Sequence, residues 1–238
     1  MDASRRTPSL PARLPRISRS GSWLLWGLIG LNMAVELVLM AADNGIVGSP
    51  RWRAQAYYHA AFWAGLLHDW RPNYAVQPWL MFLTYGFLHA GFWHMATNML
   101  ALWSLGGMVI RLWGVRDFVL IYFAAMFGGG LCFGLLSDGV RPMVGASGAI
   151  FGLIGAWQYR DWHLRRHRGQ PLLRLLWGLF VFFLLNLVLW FVLGGQLAWE
   201  THLGGFVAGW LAAALLMRFR GPDPETGQAG RGAGDAAG

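Results

Sequence analysis

The chain has 238 residues, of which 56% are hydrophobic and 13% are charged, against about 25% charged residues in a soluble globular domain. This composition excludes an ordinary soluble domain and predicts an integral membrane protein. The net charge of +8 comes from 19 basic residues, all Arg, most of which lie beside apolar runs. Arg in such places orients a protein in the membrane, so the charge does not predict nucleic-acid binding.

Both ends of the chain have the composition of disordered tails. Residues 1–20 carry five Arg and three Pro with few large apolar side chains, and residues 220–238 are rich in Gly, Ala and polar groups. The predicted organisation is therefore a disordered cytoplasmic tail at 1–20, a membrane domain at 21–219 and a second disordered cytoplasmic tail at 220–238.

Six helical spans are predicted in the membrane domain from apolar runs of about bilayer length. They are residues 23–42, 93–110, 116–136, 147–163, 174–193 and 202–219. With both termini in the cytoplasm, fifteen of the 19 Arg fall in cytoplasmic segments, as the positive-inside rule requires. The predicted fold class is all-α, a polytopic bundle of six transmembrane helices.

The first outer segment, about 43–92, is too long and too aromatic for a plain hairpin. Its apolar stretches are shorter than a bilayer crossing and are interrupted by Arg71, Pro72 and Asn73. We therefore predict short helices lying in the outer membrane interface, with aromatic rings at headgroup depth.

Spans two, four and six all begin on the outer side, and their beginnings hold polar residues: His94 and Asn98, Ser147, and His202. Polar side chains are expensive in hydrocarbon, so their gathering at one depth predicts a shared wet cavity. A serine hydroxyl becomes a nucleophile when a base takes its proton, and a neutral imidazole is the usual base near pH 7. Ser147 and His202 are thus the predicted catalytic dyad.

The group that orients the imidazole is not obvious from the sequence. Asp138 and Glu200, the nearest outer acids, are both predicted to lie in loops. Phe151 follows Ser147 by four residues on the same helix face, so its ring is predicted to stack on His202. A plain packing role for Phe151 is equally compatible with the sequence alone.

Two further side chains are candidates for stabilising an oxyanion. His94 and Asn98 are spaced i, i+4 on one helix face, and the backbone N–H of Ser147 is a third donor because it lies in the first turn of its helix. A single Asn in a span also serves as a contact between helices, which is the alternative for Asn98.

Small residues repeat every four positions on spans four and six. Such a spacing lets two helix backbones approach closely, which would bring Ser147 and His202 within hydrogen-bonding reach. The two series are Gly148, Gly152 and Ala156, and Gly205, Gly209 and Ala213.

These residues resemble the rhomboid intramembrane serine proteases, over about residues 89–213. The segment 89–98, HAGFWHMATN, is similar to the family's H-x(4)-H-x(3)-N motif. Gly145-Ala146-Ser147-Gly148 resembles its nucleophile turn, and His202-Leu203-Gly204-Gly205 its last-helix histidine.

The resemblance implies a six-helix bundle that cuts transmembrane proteins near the outer membrane face, with membrane lipid around it. It also implies a Ser147–His202 dyad without a third acid, an oxyanion site drawn from His94, Asn98 and the Ser147 amide, and no cofactor or metal. The Arg-rich, Lys-free composition fits a GC-rich bacterium, so the expected location is a bacterial inner membrane.

Four positions depart from the family pattern in the sequence. Leu80 and Met81 stand where members usually carry a Trp-Arg pair, and Ile110 stands where an acidic residue is often found. In addition, Phe151 occupies a stacking position often held by Tyr. These changes leave the proposed chemical groups in place and bear on bundle stability and loop anchoring.

The outer end of span five is the predicted side on which a substrate helix enters. Trp190 and Phe191 are the predicted gate there, and the following loop, 194–201, begins with two glycines and is predicted to be a mobile cap over the dyad.

Two alternatives to a protease are a rhomboid-like protein that binds membrane clients without cutting them, and a small transporter or channel. The two dyad residues argue against the first alternative. Against the second, no polar residue is expected to continue the cavity toward the cytoplasmic side.

Overall fold

The structure is a computed structural model that describes residues 16–137, 141–192, 194 and 196–219. Within these ranges the chain is helical, and its only strand-like pairing is an isolated antiparallel bridge between Phe62 and Met143. The helices are α1 (Arg19–Asp43), α2 (Trp52–Ala60), α3 (Gln77–Thr84), α4 (Phe92–Ala101), α5 (Gly107–Trp113), α6 (Val115–Leu136), α7 (Ser147–His167), α8 (Leu173–Val192) and α9 (Trp199–Phe219).

The two predicted tails fall almost entirely outside the described residues. Residues 1–15 and 220–238 are not described, and helix α1 begins at Arg19, within the predicted N-terminal tail. The early start has a local cause, because the Ser18 hydroxyl accepts a hydrogen bond from the Gly21 N–H at 3.1 Å. A serine in this position caps the first turn of a helix.

Each of the six predicted spans corresponds to a long helix. Helix α4, a π-helical segment at Leu102–Gly106 and α5 run on as one helix, and five long helices of the described chain are long and apolar enough to cross a membrane. The sixth, α7, is apolar only in its first half, because its second half carries polar residues that include Gln158, Arg160 and Asp161. The prediction of an all-α polytopic bundle is confirmed.

The segment of about residues 43–92 folds into short helices, as predicted. Helices α2 and α3 are separated by a 3₁₀ turn at Ala64–Leu67, and a second one at Tyr85–Phe87 follows α3. The Phe62 N–H donates to the Met143 carbonyl at 3.0 Å, and the Met143 N–H donates back at 2.9 Å. This bridge ties the segment to the loop that precedes Ser147.

Helices α6, α7 and α9 pack against one another and form the centre of the bundle. A methyl group added to Gly205 would collide with the Gly148 carbonyl, and one added to Gly209 would collide with the Gly152 carbonyl. A methyl group on Gly152 would likewise meet Ala125 of α6. The glycines therefore allow backbone contact between α7 and its neighbours.

An ion-pair network ties α1 to the segment before α4. Glu36 of α1 is fully buried and binds Arg53 of α2, with Nη2 and Oε1 2.9 Å apart. Arg53 also pairs with Asp43 at 2.7 Å and donates to the His89 carbonyl at 3.0 Å. The Tyr57 hydroxyl donates to the same carbonyl at 2.7 Å, so residue 89 is held from two sides.

Two of the positions that depart from the family pattern lie in the hydrophobic core. Met81 and Ile110 are buried in the largest apolar cluster, whereas Leu80 is exposed. Gly21 of α1 leaves room for the Ile110 side chain. A methyl group on Gly21 would lie 2.8 Å from the Ile110 Cγ2 atom.

Helix α8 is the least enclosed of the long helices, and most of its described side chains are exposed. Its inward contacts include Phe182, whose ring meets the edge of Phe151 at 4.8 Å and lies 5.1 Å from Phe206. Most of the described side chains of α8 therefore face away from the bundle, and Phe182 is among those that pack against it.

Candidate active site

A cavity of about 2210 Å³ lies between α7, α8, α9 and the start of α4. The predicted dyad and oxyanion side chains all line it, together with the predicted stacking ring: His94, Asn98, Ser147, Phe151 and His202. Of the two predicted gate residues, Trp190 lines the cavity, whereas Phe191 is 68% exposed.

Ser147 is the first residue of α7, and the turn before it is shaped by Gly145. Gly145 has φ +122°, and a methyl group there would lie 2.8 Å from the His94 Cε1 atom. Glycine is therefore required both by the backbone conformation and by the His94 ring. The Ser147 N–H belongs to the first helical turn, where amides lack a carbonyl partner within the helix.

His202 lies in the first turn of α9. It was predicted to be the first residue of this helix, but three residues of α9 precede it. The helix begins at Trp199, so Glu200 is helical and the prediction that it lies in a loop is wrong. A carboxylate in the first turn is favoured by the partial positive charge of a helix N-terminus. The last three residues of the predicted cap 194–201 belong to α9, so the loop before α9 ends at residue 198.

The Phe151 ring lies flat against His202, with centroids 3.9 Å apart and an interplanar angle of 23°. On the side of α8, the Phe182 ring makes an edge-to-face contact with the Phe151 ring. His202 is 5% exposed, so packing leaves its imidazole little freedom to rotate.

Asn186 of α8 is a polar neighbour of His202 that was not predicted from the sequence. Its Oδ1 atom lies 2.6 Å from His202 Nδ1. The two residues are 16 positions apart on different helices, so no spacing rule links them. The available signal was a lone amide in an otherwise apolar span, which is costly in a membrane without a partner.

The hydrogen bonds around His94 select one tautomer of its ring. The Ala90 N–H donates to His94 Nδ1 at 3.2 Å, so Nδ1 is an acceptor and the proton of the neutral ring is on Nε2. Asn98 donates one amide hydrogen to the His94 carbonyl at 2.8 Å and keeps the second for another acceptor. Both side chains can therefore donate a hydrogen bond in the cavity.

The cavity also reaches the polar half of α7, where Gln158, Asp161 and Arg165 line it. The expectation that no polar residue continues it in this direction is wrong, because the second half of α7 faces the same space. Asp161 and Arg165 bind each other at 2.6 Å. Among the described residues, no group of three or more His, Cys, Asp or Glu is placed to hold a metal ion.

Comparison with known proteins identifies the fold. The family model of the Rhomboid domain matches residues 76–219, which is more than half of the chain. The chain belongs to the rhomboid family. With its membrane-spanning helices, this rhomboid is an integral, multi-pass membrane protein.

Similar curated proteins are named as rhomboid proteases. Rhomboid protease GluP of Bacillus subtilis is 38% identical over 142 residues, which cover 60% of this chain and 27% of that protein. Rhomboid-like protease 1 of Toxoplasma gondii is 36% identical over 146 residues, covering 60% of this chain and 48% of that protein. The rhomboid described here thus spans between about a quarter and a half of the length of these relatives.

Proposed function

We propose that this rhomboid is an intramembrane serine endopeptidase that cleaves transmembrane proteins near the outer membrane face. The observation that supports it best is the shared cavity, which is lined by Ser147, His202, His94 and Asn98. The names of the similar proteins support the same reaction class. The proposed location is a bacterial inner membrane, with both termini in the cytoplasm.

In the proposed reaction, the Ser147 oxygen bonds to the carbonyl carbon of the substrate while its proton moves to Nε2 of His202. The carbonyl electron pair moves to oxygen, and His94, Asn98 and the Ser147 amide donate hydrogen bonds to the oxyanion. His202 then gives its proton to the departing amide nitrogen as the C–N bond breaks. Water attacks the acyl-enzyme by the same proton route and regenerates Ser147.

The decisive experiment reconstitutes the purified protein in lipid with a labelled transmembrane substrate. Wild type should cleave it and Ser147→Ala should not. Ser104→Ala is the matched control, since Ser104 is an exposed serine in the π-helical segment, and should cleave normally. Cleavage by Ser147→Ala would contradict the proposal, and binding without cleavage by wild type would favour a non-catalytic binder.

Activation of the serine is measured separately with a fluorophosphonate probe. The probe should label Ser147 in wild type, and His202→Ala should greatly reduce labelling because the base is lost. Equal labelling of wild type and His202→Ala would remove His202 from the proposed dyad.

A further inference from the structure

Asn186 makes two hydrogen bonds that fix the orientation of its amide group. Its Nδ2 donates to the Phe182 carbonyl at 2.9 Å, one turn earlier in α8, and its Oδ1 lies 2.6 Å from His202 Nδ1. A flipped amide would set Oδ1 against the Phe182 carbonyl and Nδ2 against the imidazole. The observed orientation therefore leaves an acceptor facing His202.

This contact determines where the proton of the His202 ring resides. An amide oxygen only accepts hydrogen bonds, so Nδ1 of His202 must be the donor. In the neutral imidazole the proton is then on Nδ1, and the lone pair is on Nε2. That is the tautomer that a base needs in order to take a proton through Nε2.

We propose that Asn186 is the positioning residue of His202, in the place that a carboxylate takes in a Ser-His-Asp triad. The proposal rests on the proposed protease function. The amide holds the ring in its Nδ1-protonated form, and when Nε2 takes the serine proton, the dipole of the amide stabilises the positive charge of the imidazolium. Phe151 fixes the plane of the ring, whereas Asn186 fixes its rotation within that plane.

The surroundings of His202 favour an amide over an acid. His202 is 5% exposed, its ring is stacked on the apolar ring of Phe151, and Phe182 packs against Phe151 in turn. An ionised carboxylate in such a place carries a large desolvation cost while the imidazole is neutral. An amide supplies the same acceptor without a net charge.

The position of Asn186 on α8 also connects the dyad to the most exposed long helix. Phe182 and Asn186 face His202 and Phe151 from one side of α8, a single turn apart. An outward movement of α8 would separate Asn186 from His202. The dyad is thus fully positioned only when α8 is packed against α7 and α9.

The first test reads the tautomer and needs no activity. The ¹⁵N NMR spectrum of histidine-labelled protein, with the His202 signals assigned through His202→Gln, should show Nδ1 protonated and Nε2 unprotonated at neutral pH. In Asn186→Leu this preference should be lost. An unprotonated Nδ1 in the wild-type protein would overturn the proposal, whatever the protein does to substrates.

The second test is kinetic. Asn186→Leu should lower kcat about ten- to a hundredfold through misorientation of the base and leave KM within about twofold. Asn32→Leu is the matched control, because Asn32 of α1 is buried and makes the same Nδ2 bond to a carbonyl four residues earlier, at 2.8 Å. Equal kcat values for the two variants would overturn the proposal.

Asn186→Asp distinguishes positioning from packing. It keeps an acceptor at Nδ1, so kcat near its optimum should recover to within about tenfold of wild type. Its negative charge favours the protonated imidazole, which cannot act as a base, so the acidic limb of the pH–rate profile should move to higher pH. An unshifted limb would contradict the contact. An absence of Ser147-dependent cleavage in wild type would contradict the proposed protease function. The NMR spectrum would still show whether His202 Nδ1 carries the proton that Asn186 Oδ1 accepts.

Discussion

The ring of Phe151 stacks on the imidazole of His202, with centroids 3.9 Å apart. An aromatic pair of this kind contributes about 0.5–1.5 kcal/mol beyond its buried area, enough to bias the orientation of a ring. Phe151→Tyr should therefore be nearly neutral, and Phe151→Ala should cut kcat about ten- to a hundredfold without unfolding the bundle. Steady-state kinetics with a thermal melt in detergent measures both effects. Full activity in Phe151→Ala would remove the stacking role.

Gly145 is expected to tolerate no side chain. In Gly145→Ala, the new methyl group meets the His94 ring, and the residue keeps a backbone conformation that costs about 1–3 kcal/mol for an L-residue. Activity should fall at least about a hundredfold. Gly30→Ala is the control, because a methyl group on Gly30 would meet nothing within 4 Å. Similar activity in the two variants would contradict the tight turn.

Asn98 and His94 are expected to act on the transition state. Asn98→Ala should lower kcat by up to about a hundred- to a thousandfold, the usual loss for one oxyanion donor, with little change in KM. His94→Ala should act in the same direction. Substrate titrations of the reconstituted variants separate the two constants, and an effect confined to KM would make these residues binding or packing groups.

Trp190 and Phe191 are expected to restrict access to the cavity. Replacing either with Ala should loosen the end of α8 and maintain or increase cleavage. Trp23→Ala is a matched control, since Trp23 is a highly exposed aromatic on α1, and should leave the rate unchanged. A loss as complete as that in Ser147→Ala would contradict the gate.

The stability of the protein should fall in mild acid because of His89. Burial, with a smaller contribution from the neighbouring His94, lowers the pKa of His89 from 6.5 to about 3. Below pH 6.5 the unfolded chain therefore binds a proton that the folded chain does not, and stability drops by up to about 1.4 kcal/mol per pH unit from this group. Above that pH the contribution is constant.

Melting temperatures in detergent at pH 7 and pH 5 measure this effect. The loss on acidification should be smaller in His89→Leu than in wild type, because the variant has no group to protonate at this position. Histidines away from residue 89 contribute equally to both proteins, so the difference reports His89 together with its contact with His94. An equal loss of melting temperature in both proteins would show that His89 takes up no proton when the protein unfolds.

Helix content and several of the residues that line the cavity could be predicted because their signals are local. An apolar run of bilayer length predicts a helix wherever it occurs. A polar residue at the end of such a run is recognisable from the sequence alone. The small residues of α7 and α9 carry their spacing in the sequence in the same way. Ser147, His202 and their neighbours on α4 all belong to this class.

Features that depend on how two helices are rotated against each other could not be predicted. The contact between Asn186 and His202 requires the orientation of α8, which a uniformly apolar sequence does not encode. The pairing of Glu36 with Arg53 depends in the same way on how α2 folds back on α1. The start of α9 at Trp199 was missed because its first turn is partly polar, so hydropathy alone sets the boundary too late.

The ion pair of Glu36 and Arg53 has a consequence for biosynthesis. Glu36 lies in the last third of α1, and its partner is synthesised 17 residues later. A chain that has emerged only as far as the end of α1 holds an acid inside an apolar span with no cation to neutralise it. Arg53 therefore supplies the charge that compensates Glu36, and the burial of α1 in the folded membrane domain depends on α2.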